Sequence, residues 1–434
     1  MLFTSRAPIG YVAIADVRIS TNQGFKNLTP YSGVSPDYLY HYLKASKPLA
    51  ESYASGTTFL ELSGGKFASL PLPLPPLAEQ GRIVTKIEEL FSKLDAGVAE
   101  LKRTRALLKR YRQSVLHAAV IGELSRGWRE AQGDELEDAG HLLAHILVER
   151  RARWAISGKK GKYAEPQGPE MAGLPEMPKG WVWASLEQLS WDSSYGTSIK
   201  CSYENTGQPV MRIPNVAKGV ISLDDVKFAP KEAKLSLNEA LASGDLLVIR
   251  TNGSKNLLGR SALVLGSMKS DTYFASYLIR FRLASSSQLH GWIASIWHSH
   301  HVRQWMGNNA SSSAGQHNIS MGLLNKLQLP LLSSAEQSYI VAEVERRLSI
   351  LANVEATVEA ELKRAESTRQ GILRRAFAGQ LVPQDAADEP ASVLLERIQA
   401  ERLVAGAAAV RATGKRGRKA KTAPQVTLLG PADA

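Results

Sequence analysis

The chain contains a single cysteine, Cys201, among its 434 residues. A lone thiol can form neither an internal disulfide nor a Cys-rich zinc site, and a reducing compartment is its natural setting. Cys201 sits among polar residues with no base beside it, which favours an ordinary cysteine over a nucleophile. Long apolar runs are also missing, and no stretch approaches the roughly 20 residues of a membrane span. Met1-Leu2-Phe3-Thr4-Ser5-Arg6 has no apolar core of the kind a signal peptide needs. The expectation is a cytoplasmic chain that does not enter a membrane.

Catalytic signatures are lacking too. There is no G-x-x-x-x-G-K-S/T loop to cradle a nucleotide, and no G-x-G-x-x-G follows a strand. His298, His300 and His301 make the one histidine cluster. Adjacent helical positions point in different directions, and no cysteine or carboxylate group stands at metal-ligand spacing. A surface role or a phosphate contact is the better reading. No catalytic residue, metal ligand or cofactor site is assigned to the chain, which agrees with a binding protein.

Positive charge is what the sequence has in excess. Its 53 Lys and Arg against 41 Asp and Glu leave a formal net charge of +12. Such a balance favours an anionic partner, nucleic acid before an acidic membrane surface, although a merely soluble basic protein also fits. Part of the excess lies in the cluster Lys415-Arg416-Gly417-Arg418-Lys419-Ala420-Lys421. This tail is Ala/Gly/Lys-rich from about Val404 and is expected to be disordered.

An internal repeat organises the rest. Leu72-Pro73-Leu74-Pro75-Pro76-Leu77-Ala78-Glu79-Gln80 is echoed by Leu329-Pro330-Leu331-Leu332-Ser333-Ser334-Ala335-Glu336-Gln337, at an offset of 257 residues. The echo runs without a gap to Leu124 and Leu381, pairing Ile83-Val84 with Ile340-Val341 and Arg112-Gln113 with Arg369-Gln370. Duplication explains it.

Both copies carry coiled-coil periodicity. Val84, Phe91 and Val98 form one seven-residue row, and Ile87, Leu94, Leu101, Leu108 and Val115 form another, displaced by three. The second copy gives Val341, Leu348 and Leu362 with Val344, Leu351, Val358 and Ile372. Helices are predicted over about Ala78–Ala119 and Ala335–Ala376, each roughly 60 Å long at about 1.5 Å per residue. Pro75-Pro76 and Pro330 precede them, and Gly122 and Gly379 stand where helix-terminating glycines belong. Arg105, Arg112, Glu355 and Arg369 intrude on the seams, where an arginine can set register or meet a carboxylate on the partner helix. A weaker echo follows each long helix: Leu142–Arg150 resembles Leu394–Arg402, and both read as short amphipathic helices able to fold back on their own unit.

Residues 179–328 mix short β-type runs (246–249, 262–265, 277–281) with turn-rich segments such as Thr251-Asn252-Gly253-Ser254. Gln288 to Met306 reads as a helix with Trp292, Ile296 and Trp305 on its apolar side. Arg280 and Arg282 alternate with Ile279 and Phe281, which gives a charged strand face or a plain solvent face. Residues 1–71 have the same mixed character, with a short helix near Pro36–Tyr53.

The repeated Pro73–Gln80 run, with Ile83-Val84, Ile87–Phe91 and Lys109–Leu116, resembles the central conserved helix of the specificity (S) subunits of type I restriction–modification enzymes. Leu174–Trp183 resembles the entry to that family's second target-recognition domain, and Phe3–Gly10 with Ile19–Phe25 the later half of a first. The resemblance implies a mixed α/β fold with two globular target-recognition domains, the first partial, joined by two long antiparallel coiled-coil helices. The corresponding division is a partial first recognition domain at 1–71, a central helix at 72–126, a short helix and linker at 127–178, the second recognition domain at 179–328, a C-terminal helix at 329–382, and a short helix with basic tail at 383–434. Aligning Met1-Leu2-Phe3 with Leu246-Leu247-Val248 implies that a segment comparable to Leu174–Asp245 is missing from the first domain.

The family's function would be non-catalytic. Each recognition domain reads half of a split site in double-stranded DNA, while the helices set the spacing and dock two methyltransferase subunits; restriction/translocase subunits complete the assembly. S-adenosylmethionine would sit on the methyltransferase, not here. The alternatives are a coiled-coil scaffold or a truncated, inactive S-subunit remnant. Base reading needs Arg, Lys, Asn and Gln, with hydroxyl and basic groups on phosphates. The second domain offers Arg250, Thr251, Asn252, Ser254, Lys255, Asn256 and Arg260, and a later group of Ser311, Ser312, Ser313, Gln316, His317 and Asn318. Counterparts in the first are Ser5, Arg6, Lys26 and the Ser55–Thr58 turn with Thr57. Solvated loops and turn caps account for such residues as well.

Overall fold

The computed structural model describes residues 1–6, 8–56, 59–133, 137–158, 160–266, 268, 271–284, 286–313 and 315–413. The chain begins with strands β1 (Leu2–Thr4), β2 (Val12–Ala13) and β3 (Phe25–Asn27). Helices α1 (Pro36–Ala45), α2 (Lys47–Tyr53) and α3 (Gly64–Ala68) lead into the long α4 (Leu77–Val120), then α5 (Arg126–Gln132) and α6 (Ala139–Ile156). Next come β4 (Val182–Ser185), β5 (Ser190–Tyr195), β6 (Pro209–Met211), α7 (Ile213–Val216) and β7 (Lys227–Phe228). They are followed by β8 (Asp245–Ile249), β9 (Thr251–Asn252), β10 (Ser261–Leu263), β11 (Tyr273–Phe274) and β12 (Leu278–Leu283). Helices α8 (Ser287–Ile296) and α9 (His300–Asn309) precede the hairpin β13 (Ser311–Ser313) and β14 (Gln316–Asn318). Finally α10 (Met321–Asn325) and β15 (Gln328–Leu331) lead to the second long helix α11 (Ser334–Phe377) and to α12 (Ala391–Thr413).

Two compact units share these elements, residues 1–105 with 356–434, and residues 106–355. Both long helices have 44 residues, one more at each end than the periodicity marks, and their seams are where the burial lies. Ile87 and Phe91 of α4 are buried, as are Val344, Leu351, Val358 and, at a position of the same row, the small Ala365 of α11. The helices run antiparallel. In the first unit Arg369 bonds Asp95 and Arg105 Nη1 lies 3.1 Å from Glu359. In the second, Arg112 Nη2 donates to Glu355 at 2.9 Å. The three seam arginines therefore meet carboxylates on the facing helix, one of the readings open to them. Gly122 and Gly379 follow the helices with φ of +73° and +70°, a region that costs glycine nothing.

In the second unit a four-stranded antiparallel sheet, ordered β10-β8-β12-β5, carries α8 and α9 against its apolar side. Trp292 and Trp297 are fully buried there, and their indole N–H groups donate to the carbonyls of Pro330 and Gly259. The single helix expected over Gln288–Met306 is two: Ser299 caps α9 with its side chain, and a cap competes with helix continuation. The helix expected over Pro36–Tyr53 is likewise two, divided at Ser46, whose hydroxyl donates to Leu43 O. α12 continues as helix to Thr413, beyond the point where the sequence leads one to expect disorder, and the basic cluster 415–421 lies outside the described residues. It packs on its own unit, with Glu401 accepting from the Ser32 amide.

The charged face of β12 is not a solvent face. Arg280 is 2% exposed and donates to Asp192, and Arg282 forms a two-point pair with Asp245, which is fully buried. The carbonyls of Asn238, Glu239 and Ala240 cover both guanidiniums, so the alternation reflects a roofed strand. Arg282→Met would leave Asp245 charged and buried, an expected cost of about 2–3 kcal/mol, reduced because Arg282 is partly exposed. Asp245→Leu with Arg282→Met should cost much less; guanidinium denaturation of the single and double variants gives the comparison.

The repeat extends beyond the helices. β1 lies between β2 and β3, antiparallel to both, as β8 lies between β10 and β12. The Ser5 amide bonds Gly24 O and Ser5 O accepts from Leu62; Arg250 does the same with Tyr277 and Ile319. α1, α2 and α3 stand in the order of α8, α9 and α10. Residues 1–76 thus repeat the arrangement of the part of 179–333 that begins at β8, with no counterpart of β4–β7 among the described residues.

Candidate nucleic-acid interface

The two groups of polar candidates in the second unit, some 60 positions apart in sequence, meet in one small sheet. Its order is β13-β14-β9, with His317 opposite Asn252, Asn318 opposite Thr251, Ser312 opposite His317 and Ser311 opposite Asn318. Thr251 and Asn252 are therefore strand residues, not the turn their composition indicates. They fold this way because the Ile319 amide and Arg250 carbonyl join the strands at 2.9 Å.

Side chains of this sheet are polar and mostly accessible. Ser312 and Gln316 are exposed, while Thr251, Asn252, His317 and Asn318 are half-buried. Arg250 donates through Nη2 to Asn318 Oδ1 at 3.3 Å and lies 4.8 Å from the centroid of Tyr195. Its Nε is buried without a partner, and it makes no ion pair among the described residues. A guanidinium fixed by an amide and an aromatic ring, with no carboxylate to neutralise it, keeps its charge and spare donors for an incoming acceptor. Asn252 is partly spent, since its Oδ1 accepts from the Ser254 amide at 2.7 Å. Ser254, Lys255 and Asn256 project from the next loop.

Arg260 stands apart from the sheet, its Nη1 on the carbonyl of Ala217 and its Nε on that of Asn256. Tyr195 was not among the sequence candidates. It is exposed, its hydroxyl accepts from the Met321 amide, and it caps the end of β5 beside Arg250. Only its place in a Ser-Ser-Tyr-Gly strand end could have marked it.

The first unit repeats the ladder in reduced form. Arg6 bridges Glu61, and Glu61 bridges Ser55, matching Thr251, Asn318 and Ser311. Arg6 and Ser55 are exposed. Ser5 is a correction: it is fully buried, and its hydroxyl donates to Gly24 O, so it holds a turn and offers nothing outward. Lys26 lies on β3 opposite Phe3, half-buried and on a different ladder. Thr57, with Thr58, lies outside the described residues.

The three histidines diverge. His300 is exposed, His301 Nε2 meets Gln328 O at 2.9 Å beside the Trp183 ring, and His298 is held down to a pKa of about 4 by burial and by the charges of Arg303 and Arg260. Among the described residues no group of His, Cys, Asp and Glu could hold a metal, and no helix is long and apolar enough to cross a membrane.

Residues 1–103 match the family model of the type I restriction modification DNA specificity domain. The chain is 28% identical over 389 residues to the type I restriction enzyme StySPI specificity subunit of Salmonella potsdam, covering 87% of this chain and 74% of that one. To the EcoKI specificity subunit of Escherichia coli (strain K12) it is 28% identical over 391 residues, with the same coverage, 87% and 74%. A solved structure concerned with complex assembly and conformational transition of the type I R-M system shares the fold at a TM-score of 0.54. Its identity is 18%, across 82% of this chain and 75% of that one.

Proposed function

Because the chain belongs to the specificity subunits of type I restriction–modification enzymes, we propose that it reads a bipartite site in double-stranded DNA for partners that carry out the chemistry. The β13-β14-β9 sheet is the observation that carries this reading. It gathers Thr251, Gln316, His317 and Asn318, with Arg250 at the start of β9, and amide and guanidinium groups are those that recognise base edges in the major groove. Ser254, Lys255 and Asn256 supply phosphate contacts beside it. The Arg6–Glu61–Ser55 ladder reads the other half-site.

The long helices act as the spacer, since a rigid rod sets half-site separation against a DNA rise of about 3.4 Å per base pair. Leu107, Tyr111, Ile350 and Val354 are exposed apolar residues of these helices in the second unit and form the docking surface for a methyltransferase subunit. Two such subunits, each with its S-adenosylmethionine, and restriction/translocase subunits make up the assembly, which works in the cytoplasm.

The test is to co-express the chain with its methyltransferase subunit in a methylation-free bacterium and map modified adenines by single-molecule sequencing. A split asymmetric motif is expected. Asn318→Ala should relax one position of one half only, by about 1–3 kcal/mol of discrimination. An unchanged motif in that variant removes the sheet from base reading, and methylation indifferent to sequence sinks the specificity function itself.

A further inference from the structure

We propose that Arg260 and Arg303 form a clamp for one backbone phosphate of the DNA, a site separate from the base-reading sheet; the inference rests on the second unit binding DNA. Arg303 lies on α9 and Arg260 at the entry to β10. Arg260 Nη1 donates to Ala217 O at 2.9 Å, and Arg303 Nη1 to Leu258 O at 2.6 Å. Arg260 is held through a second nitrogen as well, its Nε donating to Asn256 O at 3.1 Å, whereas Arg303 is tethered through Nη1 alone. Nη2 of both and Nε of Arg303 have no hydrogen-bond partner among the described residues.

Neither arginine has an ion pair among the described residues, although each is half-buried. By contrast Arg129, Arg212, Arg280 and Arg282 of the same unit all face a carboxylate. Two like charges brought together where water is partly excluded repel each other, and burial together with Arg260 lowers the Arg303 pKa. An anion relieves that cost, and a guanidinium pair matches the geometry of phosphate oxygens.

Local structure is built to permit the approach. Gly259 has φ +69°, and a Cβ there would lie 2.9 Å from Met306 Sδ and 3.4 Å from Arg303 Nη1. Trp297 holds the Gly259 carbonyl from the other side. The third member is His298, kept neutral down to about pH 4 by burial and by the two arginines, so it adds an N–H without a further positive charge. A Cβ on Gly219 would already touch its Nε2 at 3.5 Å.

Position gives the clamp its purpose. The loop from Gly253 to Gly259 connects β9 to Arg260, and its tip carries Ser254, Lys255 and Asn256. A phosphate held at the root of this loop fixes where β9 sits along the duplex, which is what phosphate contacts contribute to a sequence reader.

The test uses the chain assembled with its methyltransferase subunit and a fluorescein-labelled duplex of arbitrary sequence, titrated by anisotropy over a range of KCl. Arg260→Gln and Arg303→Gln should each weaken binding by about tenfold and lower the slope of log affinity against log salt by about 0.9, the signature of one lost phosphate contact. Arg260→Lys, which keeps the charge but not the fork, should keep the slope and lose affinity several-fold, and it serves if a Gln variant does not fold. Wild-type slope and affinity in the folded variants overturn the clamp. If these variants also give the wild-type methylation motif, the base-reading sheet stands without it. Failure of the wild-type complex to bind any duplex would instead remove the DNA reading on which the clamp rests.

Discussion

Arg129→Ala is expected to lower the unfolding free energy of residues 106–355 by about 3–5 kcal/mol, read by urea denaturation. Glu336, in the second copy of the repeated motif, is 2% exposed. It accepts from Arg129 Nη1 at 2.7 Å, Ser125 Oγ at 2.6 Å and the Trp181 indole at 2.8 Å. Deleting the guanidinium leaves two neutral donors and no counter-charge, and a carboxylate buried without one is what a fold tolerates least. Glu336→Gln added to Arg129→Ala should recover part of the loss, because it removes the stranded charge. A loss below about 1 kcal/mol in the single variant would mean that water reaches Glu336 and that the pair is a surface pair in energetic terms.

Trp297→Ala carries the second large effect, again about 3–5 kcal/mol, because a fully buried indole leaves a cavity the helices cannot close. Its consequence for binding is more specific. The indole donates to Gly259 O at 2.8 Å, one residue before Arg260. Trp297→Phe keeps most of the apolar volume and strands that carbonyl, an expected cost of about 1–3 kcal/mol. The Phe variant should therefore melt closer to wild type than the Ala variant and still bind duplex several-fold more weakly. Scanning calorimetry and anisotropy titration of the two variants separate these effects. Wild-type duplex affinity in Trp297→Phe would show that the Gly259 turn holds its shape unaided.

What could be read from the sequence was what is local and periodic. The seam rows from Ile87 to Val115 and from Val344 to Val358 are set by a seven-residue spacing that survives any tertiary context, and Gly122 and Gly379 mark chain reversals that few other residues tolerate. Arg280 and Arg282 show where such reading fails. Alternation on a strand is the same whether the polar face meets water or a roof, and the roof here comes from residues 238–240, some 40 positions away. Ser5 failed for a related reason: a hydroxyl beside an arginine suggests a contact surface, yet it is fully buried and bonded to Gly24 O, 19 positions on. The β13-β14-β9 sheet shows the same limit from the other side. Arg250–Asn252 and Ser311–Asn318 were each visible as polar segments, but their pairing is long-range and no short-range pattern encodes it.

The second unit is one uninterrupted stretch, residues 106–355, enclosed by the two parts of the first. Its entry and exit points are neighbours, as Arg112 bonds Glu355 at 2.9 Å. In hereditary terms such a stretch is a cassette. A single exchange of genetic material, with crossovers in the two helix-coding regions, would replace the second unit while leaving both parts of the first intact. Both regions carry the shared Ala-Glu-Gln run, at Ala78–Gln80 and Ala335–Gln337. A lineage could thus acquire a new DNA address in one step, without passing through intermediates that read nothing.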